Sequence, residues 1–197
     1  MSLLATTFSP WARGNALEAT WQSADPHALT PQQADWVLHN GSMTQHLRRH
    51  CQQLQVKIGF QGIVTLDRLA AAEQIPLPPG ECSLWLREVI LCGDGEPWIY
   101  ARTLIPLSML EHQGIDLRAI GETPIGELLF RASGIERREL QHSWVCLPLA
   151  VAQALSLSAR SPLLARRSSL CHGPQYLSVT EVFLPSAPVY QRERSSC

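Results

Sequence analysis

The chain is short of most features that would mark a nucleic-acid partner, a membrane span or a redox centre. It carries no excess charge of either sign: 16 Lys and Arg stand against 17 Asp and Glu in 197 residues, a formal charge of −1. Without a basic surface, a nucleic-acid or anionic-membrane footprint is not indicated. The cysteines, at positions 51, 82, 92, 146, 171 and 197, form no Cys-x-x-Cys pair, and no secretory apolar stretch opens the chain. Reduced thiols and a cytoplasmic location are therefore expected. The longest apolar run, "VCLPLAVAQALSL" from Val145, is too short to span a bilayer and contains Pro148; a buried helix or strand with a break is expected there. His46 and His50 have the i, i+4 spacing that metal ligands can use, but no H-E-x-x-H pattern accompanies them. They read as rim or surface residues, and no metal is expected. Internal repeats and low-complexity tracts are also missing.

What is present suits one core. With 45% apolar residues in 197, the chain can bury a single sizeable interior, and one domain over 1–197 is expected. "TPQQADWVL" supplies Thr30 as a cap, Pro31 at the first helical position and Gln33 three residues after the cap, a capping box that opens a short helix. Ser42 and Gln45 bracket Met43 in a second box, with Gly41 at the turn between. This helical hairpin offers few base-reading side chains beyond Arg48 and Arg49, so DNA recognition is not expected. From Gln55 the period changes to two, with Val56, Ile58, Phe60, Gly62 and Val64 on one side of a strand.

"WLREVILCGDGEPWIYARTLIP", 85–106, predicts a hairpin turning at Asp94-Gly95 or over Gly93 to Glu96. Either turn pairs residues 92 and 97, and an unbroken register then sets Arg87 opposite Arg102. Two like charges so placed repel, and arginine cannot shed its proton. Glu181, within "LSVTEVF", is the carboxylate in an equivalent apolar strand. One reading is a buried salt bridge, Arg87–Glu181 or Arg102–Glu181; the other is an anion pocket with an acceptor at its far end. Further on, "GETPIGELLF" predicts a helix from Pro124 capped by Thr123, whose first amides, at Ile125 and Gly126, suit a carboxylate. "IERRELQHSW" predicts a strand, and "ARRSSLCHGPQYLSVTEVFLP" a hairpin turning near Gly173-Pro174. Strands punctuated by short helices, without βαβ alternation, indicate an α+β fold around one antiparallel sheet.

The hairpin, together with "DWVLHNGSMT", "GETPIGELLF" and "LSVTEVFLPSAPVY", resembles the motifs of the bacterial chorismate pyruvate-lyase family over about residues 30–190. Residues 1–29 and 191–197 fall outside the likeness, and the segment 145–161 is longer and more apolar than the family pattern. The resemblance implies a six-stranded antiparallel sheet with helix-turn-helix flaps over a buried ligand pocket. It also implies a monomeric, cofactor-free lyase that converts chorismate to 4-hydroxybenzoate and pyruvate for ubiquinone biosynthesis. Ligand contacts carried over by the resemblance fall on Met43, Arg87, the backbone at Ile125, where the family usually has leucine, and Glu181. Arg87 and Glu181 would be the catalytic pair, Arg87 holding the ring carboxylate and Glu181 accepting from the ring hydroxyl. Hairpin parity, not the family, assigns Arg102 to the enolpyruvyl carboxylate. Two other readings stand beside the enzyme: a small-carboxylate-sensing domain like the effector domains of some transcription regulators, and an interaction protein in which the three charges neutralise one another.

Overall fold

Long two-residue alternation builds most of this molecule, and the short helices are set by their caps. The computed structural model describes residues 17, 19–69, 73, 75, 77, 79–112, 115–131, 136–172 and 175–191. In chain order the elements are β1 (Gln22–Ser23), α1 (Pro31–Val37), α2 (Met43–Leu47), β2 (Leu54–Thr65), β3 (Ser83–Gly93), β4 (Glu96–Pro106), β5 (Glu111–His112), β6 (Ile115–Asp116), α3 (Ile125–Arg131), β7 (Glu136–Val145), α4 (Leu149–Ala154), β8 (Leu163–His172) and β9 (Gln175–Phe183). Seven strands form one antiparallel sheet in the order β1-β7-β8-β9-β4-β3-β2, while β5 and β6 pair separately. The sheet has seven strands and not the expected six, because Gln22 and Ser23 add a two-residue strand along the outer edge of β7.

The turn between β3 and β4 has φ of 50° at Asp94 and 88° at Gly95, the two positive values that a two-residue mirror-image turn requires. Gly93 pairs with Glu96 and Cys92 with Pro97. One step on, the register slips: Leu91 pairs with Ile99, and Trp98 is passed over. Pro97 has no N–H to give the ladder, and the Trp98 ring lies against Gly93, where a Cβ would stand 2.3 Å from it. Both favour an extra residue at this point. The slip corrects the expected facing of the two arginines: Arg87 lies opposite Thr103, and Arg102 lies opposite Glu88 on the other face of the sheet.

Two further irregularities re-aim side chains. Between Ile58 and Phe60 the β2 register shifts, so Phe60 packs with Leu84, Leu86 and Leu104 while Gln61 pairs with Arg87. The single alternation expected for 56–64 is thereby broken at Gly59. In β7 the shift lies between Arg138 and Gln141, with Glu139 at φ 49°.

One sheet face is covered by α1, α2 and α3. Trp36, Val37, Met43 and Leu47 are buried against Val89, Leu91, Ala101, Leu164 and Phe183, each large side chain contributing about 1.5–3 kcal/mol by burial. The full capping box of Thr30 and Gln33 holds the start of α1. Ser42 caps α2 by accepting from the Gln45 amide. On the opposite face, Val151 and Ala152 of α4 and Leu17 cover Ile90, Tyr100, Val145 and Val182. The apolar run from Val145 is thus the end of a strand, a break at Pro148 and a buried helix. Residues 173–174, where the turn of the last hairpin is expected, and the tail 192–197 lie outside the described residues. No described helix is long and apolar enough to cross a membrane.

Candidate functional site

A cavity of about 580 Å3, counting its open mouth, lies between the sheet and the first turns of α2 and α3. Its floor includes Arg87 and Val89 of β3, Thr103 of β4, and Glu181 of β9; Met43, Thr44, Ile125 and Gly126 form the roof. Four of the five residues singled out from sequence, Met43, Arg87, Ile125 and Glu181, therefore meet at one place. Arg102 does not join them.

Arg102 lies on the far face, in a closed ionic cluster. Its Nε stands 2.7 Å from Glu73 Oε1 and its NH1 2.6 Å from Glu88 Oε1; the Tyr100 hydroxyl also donates to Glu88 Oε1. Burial opposes the guanidinium charge, but Tyr100, Glu73 and Glu88 outweigh it and raise the group above its ordinary value. Burial pushes the Glu88 carboxyl up, against the pull of Arg102 and the Tyr100 hydrogen bond. Two carboxylates satisfy this cation within the fold.

Arg87 is handled differently. It is 1% exposed, and its partners are neutral oxygens: NH1 donates to Gln61 Oε1 at 3.0 Å, and NH2 to the carbonyls of Gly121 at 2.8 Å and Thr123 at 3.2 Å. Among the described residues no carboxylate lies within ion-pair distance of it. Burial lowers its pKa from the ordinary arginine value, a sign that the charge lacks compensation. The β2 bulge brings Gln61 to this position, and the loop before α3 supplies both carbonyls, so the same chain segment fixes Arg87 and the amides of Ile125 and Gly126.

Neither expected salt bridge to Glu181 forms. The partner is Arg166, whose Nε donates to Glu181 Oε2 at 2.6 Å while NH1 donates to the carbonyls of His39 at 2.8 Å and Trp36 at 3.3 Å. Arg166 is fully buried and ties Glu181 to the end of α1. The signal for it stood in the sequence. A turn at Gly173-Pro174 pairs 172 with 175, and the unbroken register then pairs 166 with 181. Arg137 of β7 is a second residue that the strand pattern left unassigned; it lines the cavity, and its NH1 donates to Ser168 Oγ.

Of the two histidines expected at a rim or surface, His50 is exposed and His46 is not. His46 is buried against Trp36, with ring centroids 4.3 Å apart, and stacks on His39. Burial, then the nearby His39, lowers its pKa to about 4, against the pull of Asp35. It is a neutral packing residue near pH 7. No group of three metal-ligating side chains occurs among the described residues. The cysteines that lie among them are free.

An antiparallel sheet with a cavity under short helices places the chain among the single-domain α+β proteins. The fold is shared with the ligand-binding domain of a putative GntR-family transcriptional regulator from Bordetella bronchiseptica, at TM-score 0.51 and 14% identity over 68% of this chain and 86% of that one. Sequence carries the matter further: the chorismate lyase family model matches residues 16–195, and the chain belongs to that family. It is 37% identical to a probable chorismate pyruvate-lyase of Vibrio parahaemolyticus, over 90% of this chain and 93% of the relative. It is 36% identical to the chorismate pyruvate-lyase of Pectobacterium atrosepticum, over 87% of each.

Proposed function

We propose that the chain is a chorismate pyruvate-lyase, a single-domain monomer in the cytoplasm that makes 4-hydroxybenzoate for ubiquinone biosynthesis. The observation that carries the site assignment is Arg87, a buried cation whose partners in the fold are all neutral. Such a group is stabilised by an anion held at charge-assisted hydrogen-bond distance. The ring carboxylate of chorismate takes that place, with the Ile125 amide as a second donor. Glu181, held in place by Arg166, accepts from the ring hydroxyl para to the carboxylate. Met43 and Ile125, at the first turns of α2 and α3, close over the ring as flaps.

The reaction is an elimination. The C3–O bond breaks, the C4 proton leaves, the ring becomes aromatic, and the enolpyruvyl fragment gains a proton at its methylene carbon to become pyruvate. Atoms and charge balance without an electron donor or acceptor, and aromatisation supplies the drive. The chain's task is to hold the dianion in the reactive conformer away from water. Arg102 has no part in this binding, since Glu73 and Glu88 already neutralise it on the opposite face.

The likeness to a regulator's ligand-binding domain favours one alternative, binding without turnover. Incubating the purified chain with chorismate separates the two. The lyase reading requires 4-hydroxybenzoate and pyruvate in equal amounts at a rate proportional to protein. Saturable chorismate binding with neither product made would assign the chain to sensing instead.

A further inference from the structure

The substrate proposed above carries two carboxylates, while Arg87 and the Ile125 amide account for one. With Arg102 turned away, the second needs another cation on the cavity side of the sheet. Arg137 is such a group. It lies opposite Leu170 of β8, and both line the cavity. Its guanidinium reaches across β8 to donate to Ser168 Oγ, and NH2 stands 3.4 Å from the Gly41 carbonyl. Ser168 pairs with Val179, Val179 with Thr103, and Thr103 with Arg87. Arg137 therefore leans into the row that Arg87 occupies, from the other end. Three strand spacings separate Ser168 from Arg87, roughly 14 Å at ~4.8 Å each. Arg87 fills part of that distance, and the remainder suits a six-membered ring with an anionic side chain.

The lining agrees. Among the described residues, the cavity wall carries two cations, Arg87 and Arg137, and one carboxylate, Glu181. Near the roof, Arg48 pairs with Glu127 at 3.0 Å. Burial and Arg166 lower the Arg137 pKa to about 10, against the pull of Glu181, which still leaves it charged at neutral pH. Chorismate brings −2; its aromatic product brings −1.

We propose that Arg137 binds the enolpyruvyl carboxylate and lets the cavity favour the dianionic substrate over the monoanionic product. This rests on the lyase reading of the site. Pyruvate carries the second carboxylate away from Arg137 and leaves 4-hydroxybenzoate held by Arg87 and Glu181.

The test is steady-state kinetics of Arg137→Gln and Arg137→Lys beside the unaltered chain, with thermal unfolding recorded for each. Loss of one charge-assisted pair predicts that Arg137→Gln raises the chorismate KM by about tenfold or more, while inhibition by 4-hydroxybenzoate shifts by less than about threefold. Arg137→Lys should recover part of the KM. An unmoved KM, or a 4-hydroxybenzoate inhibition constant that rises in step with it, overturns the assignment. Should Arg137→Gln not fold, the unaltered chain still decides the matter with two aromatic analogues. 3-(Carboxymethoxy)-4-hydroxybenzoate should bind about tenfold more tightly than 3-methoxy-4-hydroxybenzoate, and equal binding would refute the proposal. Absence of chorismate turnover by the unaltered chain would instead sink the lyase reading itself.

Discussion

Two arginines only fifteen positions apart in one hairpin show how the same residue type serves opposite ends. Arg102 is neutralised within the fold by Glu73 and Glu88, whereas Arg87 meets only neutral oxygens. Replacing Arg87 by alanine should therefore abolish most lyase activity without unfolding the chain, because no internal carboxylate is stranded. A charge-assisted contact contributes about 1.5–3 kcal/mol, a ten- to hundredfold loss in binding before positioning is counted. Assay of chorismate turnover together with a melting curve checks this; full activity in the variant would remove Arg87 from the site. At this scale residue type was legible and direction was not. "ERRE" and "ARRSS" each contain adjacent arginines, one for each face, and only strand register separates Arg137 from Arg138 or Arg166 from Arg167.

The elements were legible where local chemistry dictates them. Thr30, Pro31 and Gln33 start α1 as a capping box does, and Asp94-Gly95 turns the β3–β4 hairpin. Register was lost at the bulges. The Pro97-Trp98 slip, which alternation cannot reveal, moved Arg102 to the other face, and the shift at Gly59 brought Gln61 onto Arg87. Two-residue β1 was missed because its pairing with β7 joins residues about 120 apart in the chain, beyond any local signal. The α2 and α3 flaps touch through Arg48 and Glu127, and Met43 is buried at the α2 end of that lid. Opening it should limit product release. Met43→Ala removes packing from the lid and should weaken 4-hydroxybenzoate inhibition, while the single-turnover rate on bound chorismate changes much less. The opposite outcome, a slowed single turnover with product affinity untouched, would make Met43 a positioning group for the chemistry and not a gate.

Across the whole molecule, the sheet separates two ionic systems. One face closes its charges with Tyr100, Glu73, Glu88 and Arg102; the other holds Arg87, Arg137, Arg166 and Glu181 around a cavity. Burial of uncompensated charge costs several kcal/mol per ion, so the second face should be the part of the fold that a dianion or an aromatic acid stabilises. The most direct measurement is a crystal structure of the chain grown with 4-hydroxybenzoate. The account predicts the ring in the cavity, its carboxylate about 3 Å from the Arg87 guanidinium and the Ile125 amide, and its hydroxyl on Glu181. A product lodged outside the cavity, or seated with its hydroxyl on Arg87 and its carboxylate towards Glu181, would contradict it.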